Sequence, residues 1–510
     1  MTGLLLKKNM YWLIALVVVA IALWFRLRHL TLHPLWLDEG YSAYAADKGF
    51  DFIFKVLPGY ETHPPFYSAI LSAWVGLIGK SLLGFRALGA VAGIVALPVY
   101  WFAGKEAGRA LGVDPLICGF ATLMLAAVLP AIVDVTQSVR PYALIALVYA
   151  IGIWTVLRLA RIHGDTKRLH PWLWAAYLAC LALLCWLHNL GSFYAASLGL
   201  GMLILIGPMT LIRDHTRAFF LGHIAVALVV IPAFLILLDQ APTWTQSTWL
   251  KFRPGYIGTG LTIIYGIGGL GGLICAGVAA GTIAKKALGS HTRPLLALAT
   301  MAMLPVLLSL IITIAIAPIF LPRTLVSVSI ALILLIAAGA ASQSIIARTA
   351  FIGLLALSAT RLVAIQNNVP PEHWYDAVAW LKPQFAPGDV IYAYPNEGAL
   401  PLFYALRDKQ LPYPIRAIPT PVPAKDRAGW YPTGSRGVMS LPQFRLEAIA
   451  ADAESRKVPT IWLLRLGPAA YDKGDGFVKA LSRTRKVVGH WHEEPIDIIG
   501  LRQSPQITPP

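Results

Sequence analysis

The sequence predicts an α-helical polytopic membrane protein with about eleven transmembrane helices and a small C-terminal α/β domain. Three observations predict it. Apolar residues make up 57% of the 510, and mean hydropathy is +0.65. Charged residues are 13%, about half the roughly 25% of soluble domains. Apolar runs of about 20 residues, the length a spanning helix needs, recur up to residue 365 and then stop. A soluble globular protein is thereby excluded.

The spans read in order are 10–30, 85–103, 115–134, 141–160, 172–188, 191–212, 219–238, 258–284, 294–317, 324–347 and 349–365. The first, from Met10 to Phe25, has no small-residue cleavage site after it and reads as a retained signal anchor. The run from Phe66 to Gly79 is about 14 residues, too short to cross, and reads as interfacial or re-entrant. Cys118, Cys180, Cys185 and Cys275 all fall inside apolar segments, so neither a disulfide framework nor a zinc spacing is implied.

Charge orients the spans. The net charge is +17, of which +14 lies in residues 1–365 and +3 in 366–510. With Lys7 and Lys8 inside, the inner loops collect Lys105, Arg109, Arg158, Arg161, Lys167, Arg168, Arg213, Arg217, Lys285, Lys286, Arg293 and Arg348. The outer turns are short or poor in basic residues, as the positive-inside rule requires. These charges sit between apolar spans, where they meet anionic lipid rather than nucleic acid. Residues 1–365 thus form the transmembrane domain, with a first extracytoplasmic loop at 31–84. An odd number of spans leaves 366–510 outside. That segment holds strand-like runs at Val390–Tyr394, Thr460–Leu464 and Val487–Trp491 and helical patterns at His373–Leu381 and Phe444–Arg456, hence the α/β expectation.

Several costly polar residues share one membrane face in this topology. Asp38 and Glu39 follow the first span, and His63 lies in the same loop. Asp134, Arg140 and Tyr142 border the turn between the third and fourth spans. His188 ends the fifth, and Arg323 precedes the tenth. Charges near a membrane cost several kcal/mol each to desolvate unless they share a polar cavity or partner one another. A carboxylate in such a cavity can deprotonate a hydroxyl. Arginines hold phosphate oxygens and stay charged as a phosphate departs. Trp36, Tyr41, Tyr44, Tyr67 and Tyr142 flank the site and suit a sugar ring or the interface belt. Together these residues suggest group transfer from a lipid-linked phosphate, although Asp/Arg pairs also run proton-coupled transport.

Four segments in register carry a family resemblance: Leu37-Asp38-Glu39-Gly40, Thr62-His63-Pro64-Pro65-Phe66-Tyr67, Gln137-Ser138-Val139-Arg140-Pro141-Tyr142 and Pro322-Arg323-Thr324-Leu325. Over residues 10–365 the chain resembles the GT-C superfamily of integral-membrane glycosyltransferases. Within it, the chain is similar to the bacterial branch of protein O-mannosyltransferases and the lipid A aminoarabinose transferase. The resemblance implies a bacterial inner-membrane, multi-pass enzyme with an extracytoplasmic active site. Such an enzyme takes a polyprenyl-phosphate sugar as donor and a lipid, glycan or protein as acceptor. Asp38 matches the first-loop aspartate assigned as general base, with Glu39 its usual neighbour. Arg140 and Arg323 match arginines near the lipid phosphate, and His188 a polar position ending that span. Two departures stand out. The aminoarabinose branch has Glu-Lys before the paired prolines where this chain has Thr62-His63, and the position after Pro-Arg, often Tyr, is Thr324.

Plainer readings accompany each residue. Asp38 could cap an interfacial helix, and Arg140 and Arg323 could snorkel to headgroups. Glu39 could hold Asp38, ligate a cation or face water. Asp134 is a second acid of the site or a solvated turn residue. His188 could be a satisfied interface histidine, and His63 could hydrogen-bond phosphate or cap a turn. Asp38, Glu39 and Asp134 offer oxygen ligands to a hard divalent cation, which leaves metal use open. Gly266 to Gly272 read as helix packing rather than a phosphate loop, Arg483–Lys486 as a solvated face, and Trp244–Trp249 as an interface anchor. The expected function is an inverting glycosyltransferase. A membrane transporter or lipid flippase is the alternative, and a non-catalytic scaffold a third.

Overall fold

A computed structural model describes residues 2–247, 250, 252–266, 269–367, 372–423, 441–472 and 474–504. Trp249 and Gly268 lie outside the described residues. Each of the eleven expected spans contains a described helix, but not all are long enough to cross a membrane. Among the described residues six helices are long and apolar enough to cross a membrane, or eight if each of two bent pairs is one span. The bends fall where the sequence interrupts the backbone ladder. Pro115–Val128 and Pro130–Gln137 meet at 65° at Pro130, and Gly191–Ile206 and Pro208–Asp214 meet at 82° at Gly207-Pro208. Proline lacks the amide donor and clashes with the preceding turn. The expected span 10–30 falls in helix Thr2–Leu27, while the expected spans 172–188 and 324–347 appear as the shorter apolar helices Pro171–Leu187 and Val326–Ala341.

The expected span 258–284 is not continuous. Helix Tyr256–Tyr265 ends at Gly266, which has φ +64°, and a second helix runs Gly269–Ala287. A Cβ on Gly266 would stand 2.6 Å from Ala131 Cβ. Both the left-handed backbone and the close approach therefore require glycine there, and Gly266 is a helix terminator rather than a mid-helix packing residue.

Helix Phe66–Ile78 is about 20 Å long at 1.5 Å per residue, short of the ~30 Å hydrocarbon core. Just beyond its far end, Lys80 Nζ lies 3.1 Å from Asp47 and the Lys80 carbonyl accepts from Arg407 Nη2 at 2.5 Å. Both contacts are with the first loop and the C-terminal domain, so the chain returns without traversing the bundle.

The C-terminal domain is a five-stranded sheet of order β2-β1-β3-β5-β4, with β1 Val390–Tyr394, β2 Ile415–Ala417, β3 Thr460–Leu466, β4 Arg485–Glu493 and β5 Ile496–Gln503. β1 pairs in parallel with β2 and β3, while β5 runs antiparallel to β3 and β4. β3 is buried throughout. Its alternate residues serve two cores: Ile461 and Leu463 pack with Phe477 and Leu481, and Trp462 and Leu464 with Trp374 and Leu402. The expected helix 444–456 breaks into Gln443–Ala450 and Ala453–Lys457, because Asp452 caps the second helix by accepting from Ser455 N at 2.6 Å. Arg485 departs from its expected solvated role. It is 4% exposed and donates to the carbonyls of Ser455, Val458, Pro459 and Leu501.

The domain clasps the first loop. Tyr404 Oη donates to Asp47 Oδ2 at 2.9 Å, and Arg407 reaches the same oxygen at 3.3 Å. Tyr41 Oη donates to Glu397, and Tyr44 Oη to the Val422 carbonyl. A Cβ on Gly40 would lie 3.1 Å from Pro401 N. The helix that carries the acid pair is therefore set against the domain through a glycine contact.

Candidate active site

Asp38 and Glu39 occupy the first turn of helix Leu37–Lys48, where the exposed amide ends favour negative charge. The Leu37 amide, one of the unpaired donors of that turn, is capped from the C-terminal domain by Glu372 Oε2 at 3.0 Å. Adjacent residues on a helix point about 100° apart, and the two acids separate accordingly.

Asp38 faces a cavity. Its Oδ2 accepts from Arg323 Nη2 at 2.5 Å, and its side chain is 16% exposed. Arg323 sits on the short turn Pro322–Thr324. That irregular stretch is braced from both sides: Tyr194 Oη donates to the Thr324 carbonyl at 2.9 Å, and Thr313 Oγ1 accepts from the amides of Ile319 and Phe320. The Arg323 guanidinium also lies 4.8 Å above the Trp36 ring, a cation–π arrangement that fixes its plane.

Glu39 faces inward and is 1% exposed. Oε2 pairs with Arg86 Nη2 at 2.8 Å, and Oε1 accepts the Val139 amide at 2.9 Å. Arg86 in turn donates to the carbonyls of Leu30, His33 and Pro34. Glu39 thus joins the first loop, helix Leu82–Ala110 and the turn that carries Arg140. Both carboxylate oxygens of Glu39 are thereby engaged by neighbouring donors.

Arg140 Nη1 donates to the Asp38 carbonyl at 3.2 Å and approaches Ser42 Oγ at 3.4 Å. Its guanidinium is 5.9 Å from the Tyr142 ring centroid. The rings of His63 and His188 lie with centroids 4.1 Å apart and planes tilted by 31°, and Tyr142 lies 6.0 Å from His188. The Leu190 amide donates to His188 Nδ1 at 3.1 Å, which puts the proton of the neutral ring on Nε2. That Nε2 is buried with no hydrogen-bond partner among the described residues.

These groups share one cavity of about 420 Å³. Its polar floor is formed by Asp38, His63, Arg140, Tyr142, His188 and Arg323, and its wall by Phe234, Leu237, Leu238, Ile312 and Ile316. The wall residues belong to helices Thr216–Ser247 and Thr292–Ala315 and their ends. Such a cavity suits an amphiphile with an anionic head and a long apolar tail.

Asp134 does not line that cavity. It borders a neighbouring cavity of about 220 Å³, which Arg323 and Arg361 also line. Among the described residues no three His, Cys, Asp or Glu side chains stand close enough to hold a metal ion. The oxygen set expected from Asp38, Glu39 and Asp134 is dispersed, with two of the three already facing a guanidinium. Arg86, Ser42, Glu372 and Glu397 also contact the acid-pair helix or the turn beside it, and nothing in the sequence marks them out.

No family model matches the chain, and no curated protein sequence matches it. Solved structures do resemble it over nearly its full length. ArnT from Cupriavidus metallidurans bound to undecaprenyl phosphate superposes with a TM-score of 0.59 at 15% identity, covering 99% of both chains. Its apo state gives 0.57 at 14% identity over 98% of both chains. The Archaeoglobus fulgidus oligosaccharyltransferase AglB, in complex with an inhibitory peptide and a dolichol-phosphate, gives 0.51 at 11% identity, covering 99% of this chain and 75% of that one. The chain therefore shares the fold of these solved structures over nearly its full length.

Proposed function

We propose that this protein is an inverting glycosyltransferase that moves a sugar from a polyprenyl-phosphate donor to an acceptor hydroxyl on the extracytoplasmic side of a bacterial inner membrane. The observation that carries the reading is the Asp38–Arg323 pair on the floor of a cavity whose wall is apolar. The similar proteins add to it: ArnT was solved with undecaprenyl phosphate and AglB with a dolichol-phosphate.

The donor phosphate sits between Arg140 and Arg323, and its isoprenoid chain lies along the wall between the two lining helices. Phosphate competes with Asp38 for Arg323, and its arrival releases the carboxylate toward the acceptor. The acceptor oxygen attacks the anomeric carbon from the face opposite the phosphate. Its proton passes to Asp38 as the new C–O bond forms. The bond from the anomeric carbon to the phosphate oxygen breaks, and the polyprenyl phosphate leaves with the bonding electron pair. Arginines Arg140 and Arg323 balance the charge that develops on it. Asp38 then returns its proton to solvent. His188 Nε2–H and the His63 ring border the same floor and donate to a phosphate or sugar oxygen.

Mass spectrometry of lipids and glycans from a deletion strain tests this reading. It expects an accumulated polyprenyl-phosphate sugar and an acceptor lacking that sugar. Unchanged lipid and glycan profiles, with substrate flux across the membrane lost instead, would favour transport.

A further inference from the structure

A second polar centre lies at the far end of the same helices. Helix Leu82–Ala110 carries Arg86 beside Glu39 and, twenty residues on, Glu106; the rise of a helix places them about 30 Å apart. Helix Tyr142–Thr166 likewise brings Tyr142 to the Asp38 cavity and Arg161 to Glu106, and helix Thr292–Ala315 runs from Arg293 here to Ile312 there.

Glu106 is 2% exposed and gathers three guanidinium groups. Arg109 Nη1 lies 2.9 Å from Oε1, Arg161 Nε 2.9 Å from Oε2, and Arg158 Nη1 3.7 Å from Oε1. One carboxylate neutralises one of the three. Beside them opens a half-enclosed cavity of about 530 Å³ into which Arg109, Arg161 and Arg293 also project. Among the described residues Glu106 is the one acid in its lining, and Asp165 reaches Arg161 from outside at 3.9 Å. The rest of the wall includes Leu157, Ala160 and Leu205. Surplus guanidinium charge held by a buried acid and facing an apolar-walled cavity calls for an anion with a hydrocarbon portion.

We infer that this cavity binds the phosphate headgroup of an anionic membrane phospholipid in the leaflet opposite the Asp38 cavity. The apolar wall takes the first carbons of the acyl chains, and Arg109, Arg161 and Arg293 take the phosphate. The inference stands independently of the reaction at Asp38.

Native mass spectrometry of the full chain in detergent tests it, with phosphatidylglycerol, phosphatidylcholine and inorganic phosphate as separate titrants. The expected result is saturable retention of phosphatidylglycerol, with phosphatidylcholine at least about fivefold weaker, the scale of one basic residue near a lipid surface. Arg293→Gln, which leaves the Glu106 pairs intact, is expected to weaken phosphatidylglycerol about fivefold, and Arg109→Gln with Arg161→Gln to weaken it further. Equal retention of the two lipids, or no change in Arg293→Gln, overturns the site. Displacement of the lipid by millimolar inorganic phosphate assigns the arginines to a soluble anion and overturns the lipid assignment.

Discussion

Arg323 Nη2 lies 2.5 Å from Asp38 Oδ2, although 285 residues separate them in the chain. The pair closes the loop after the first span onto the turn before helix Ser329–Ala341. Neither residue is fully buried, with side-chain exposures of 34% and 16%. An arginine so placed can exchange its carboxylate for a phosphate without leaving the cavity floor.

This exchange makes Arg323→Lys informative. Lysine keeps the charge but loses the planar fork and the stacking on Trp36. The donor KM is expected to rise about tenfold with a smaller loss of kcat, whereas Arg323→Ala is expected to lower kcat/KM by about 10²-fold to 10³-fold. Steady-state transfer at varied donor concentration separates the two.

The Glu39–Arg86 pair is expected to matter for stability first. Both side chains are buried, at 2% and 7% exposed. Removing one partner of a buried pair costs about 3–5 kcal/mol because the other is stranded. Arg86→Ala should lower the midpoint of thermal unfolding in detergent by several degrees, more than Arg140→Ala, and a midpoint equal to wild type would remove Glu39 from its supporting role.

Glu372 predicts a pH dependence. Burial raises its carboxyl from the ordinary 4.5 to about 7, against the opposing pull of the Trp374 indole and the Leu37 amide. Between those two values the folded protein keeps a proton that the unfolded chain has released. Stability therefore falls as pH rises through the window, by on the order of 3 kcal/mol at most. The drop in unfolding midpoint from pH 5 to pH 8 should be smaller in Glu372→Gln than in wild type. Equal drops would show that the cap on helix Leu37–Lys48 does not titrate there.

The contact of Gly40 with Pro401 makes the C-terminal domain part of the site. A β-branched side chain at Gly40 would push the helix carrying Asp38 away from the domain. Displacements near 1 Å can cost about 10²-fold in rate, so Gly40→Val should lose most activity while Asp38 and both arginines are retained. Hydrogen exchange across 37–48 should rise in the same variant.

The sequence made Asp38, His63, Arg140, His188 and Arg323 legible because a polar residue beside a membrane is costly and stands out against an apolar background. It did not separate Glu39 from Asp38, since the turn of the helix that parts them is a matter of about 100° per residue and Arg86 hides inside an apolar span. Asp134 ends a span at the same predicted face as the others but lines a neighbouring cavity, a distinction that position along the chain does not make. Glu372 and Glu397 lie in a domain where charges are ordinary, so nothing marked them as supports. β1 is legible at its full length as a β-branched and aromatic run, whereas β2, three residues long, and β5, interrupted by Gly500, carry too weak a pattern.

In the proposed reaction Asp38 takes the acceptor proton. Transfer from a radiolabelled polyprenyl-phosphate sugar in proteoliposomes measures it most directly, with Asp38→Asn beside wild type. Asparagine keeps the size and loses the base, and turnover should fall about 10²-fold to 10⁴-fold while the donor still binds at Arg140 and Arg323. Turnover by Asp38→Asn equal to wild type would contradict the assignment.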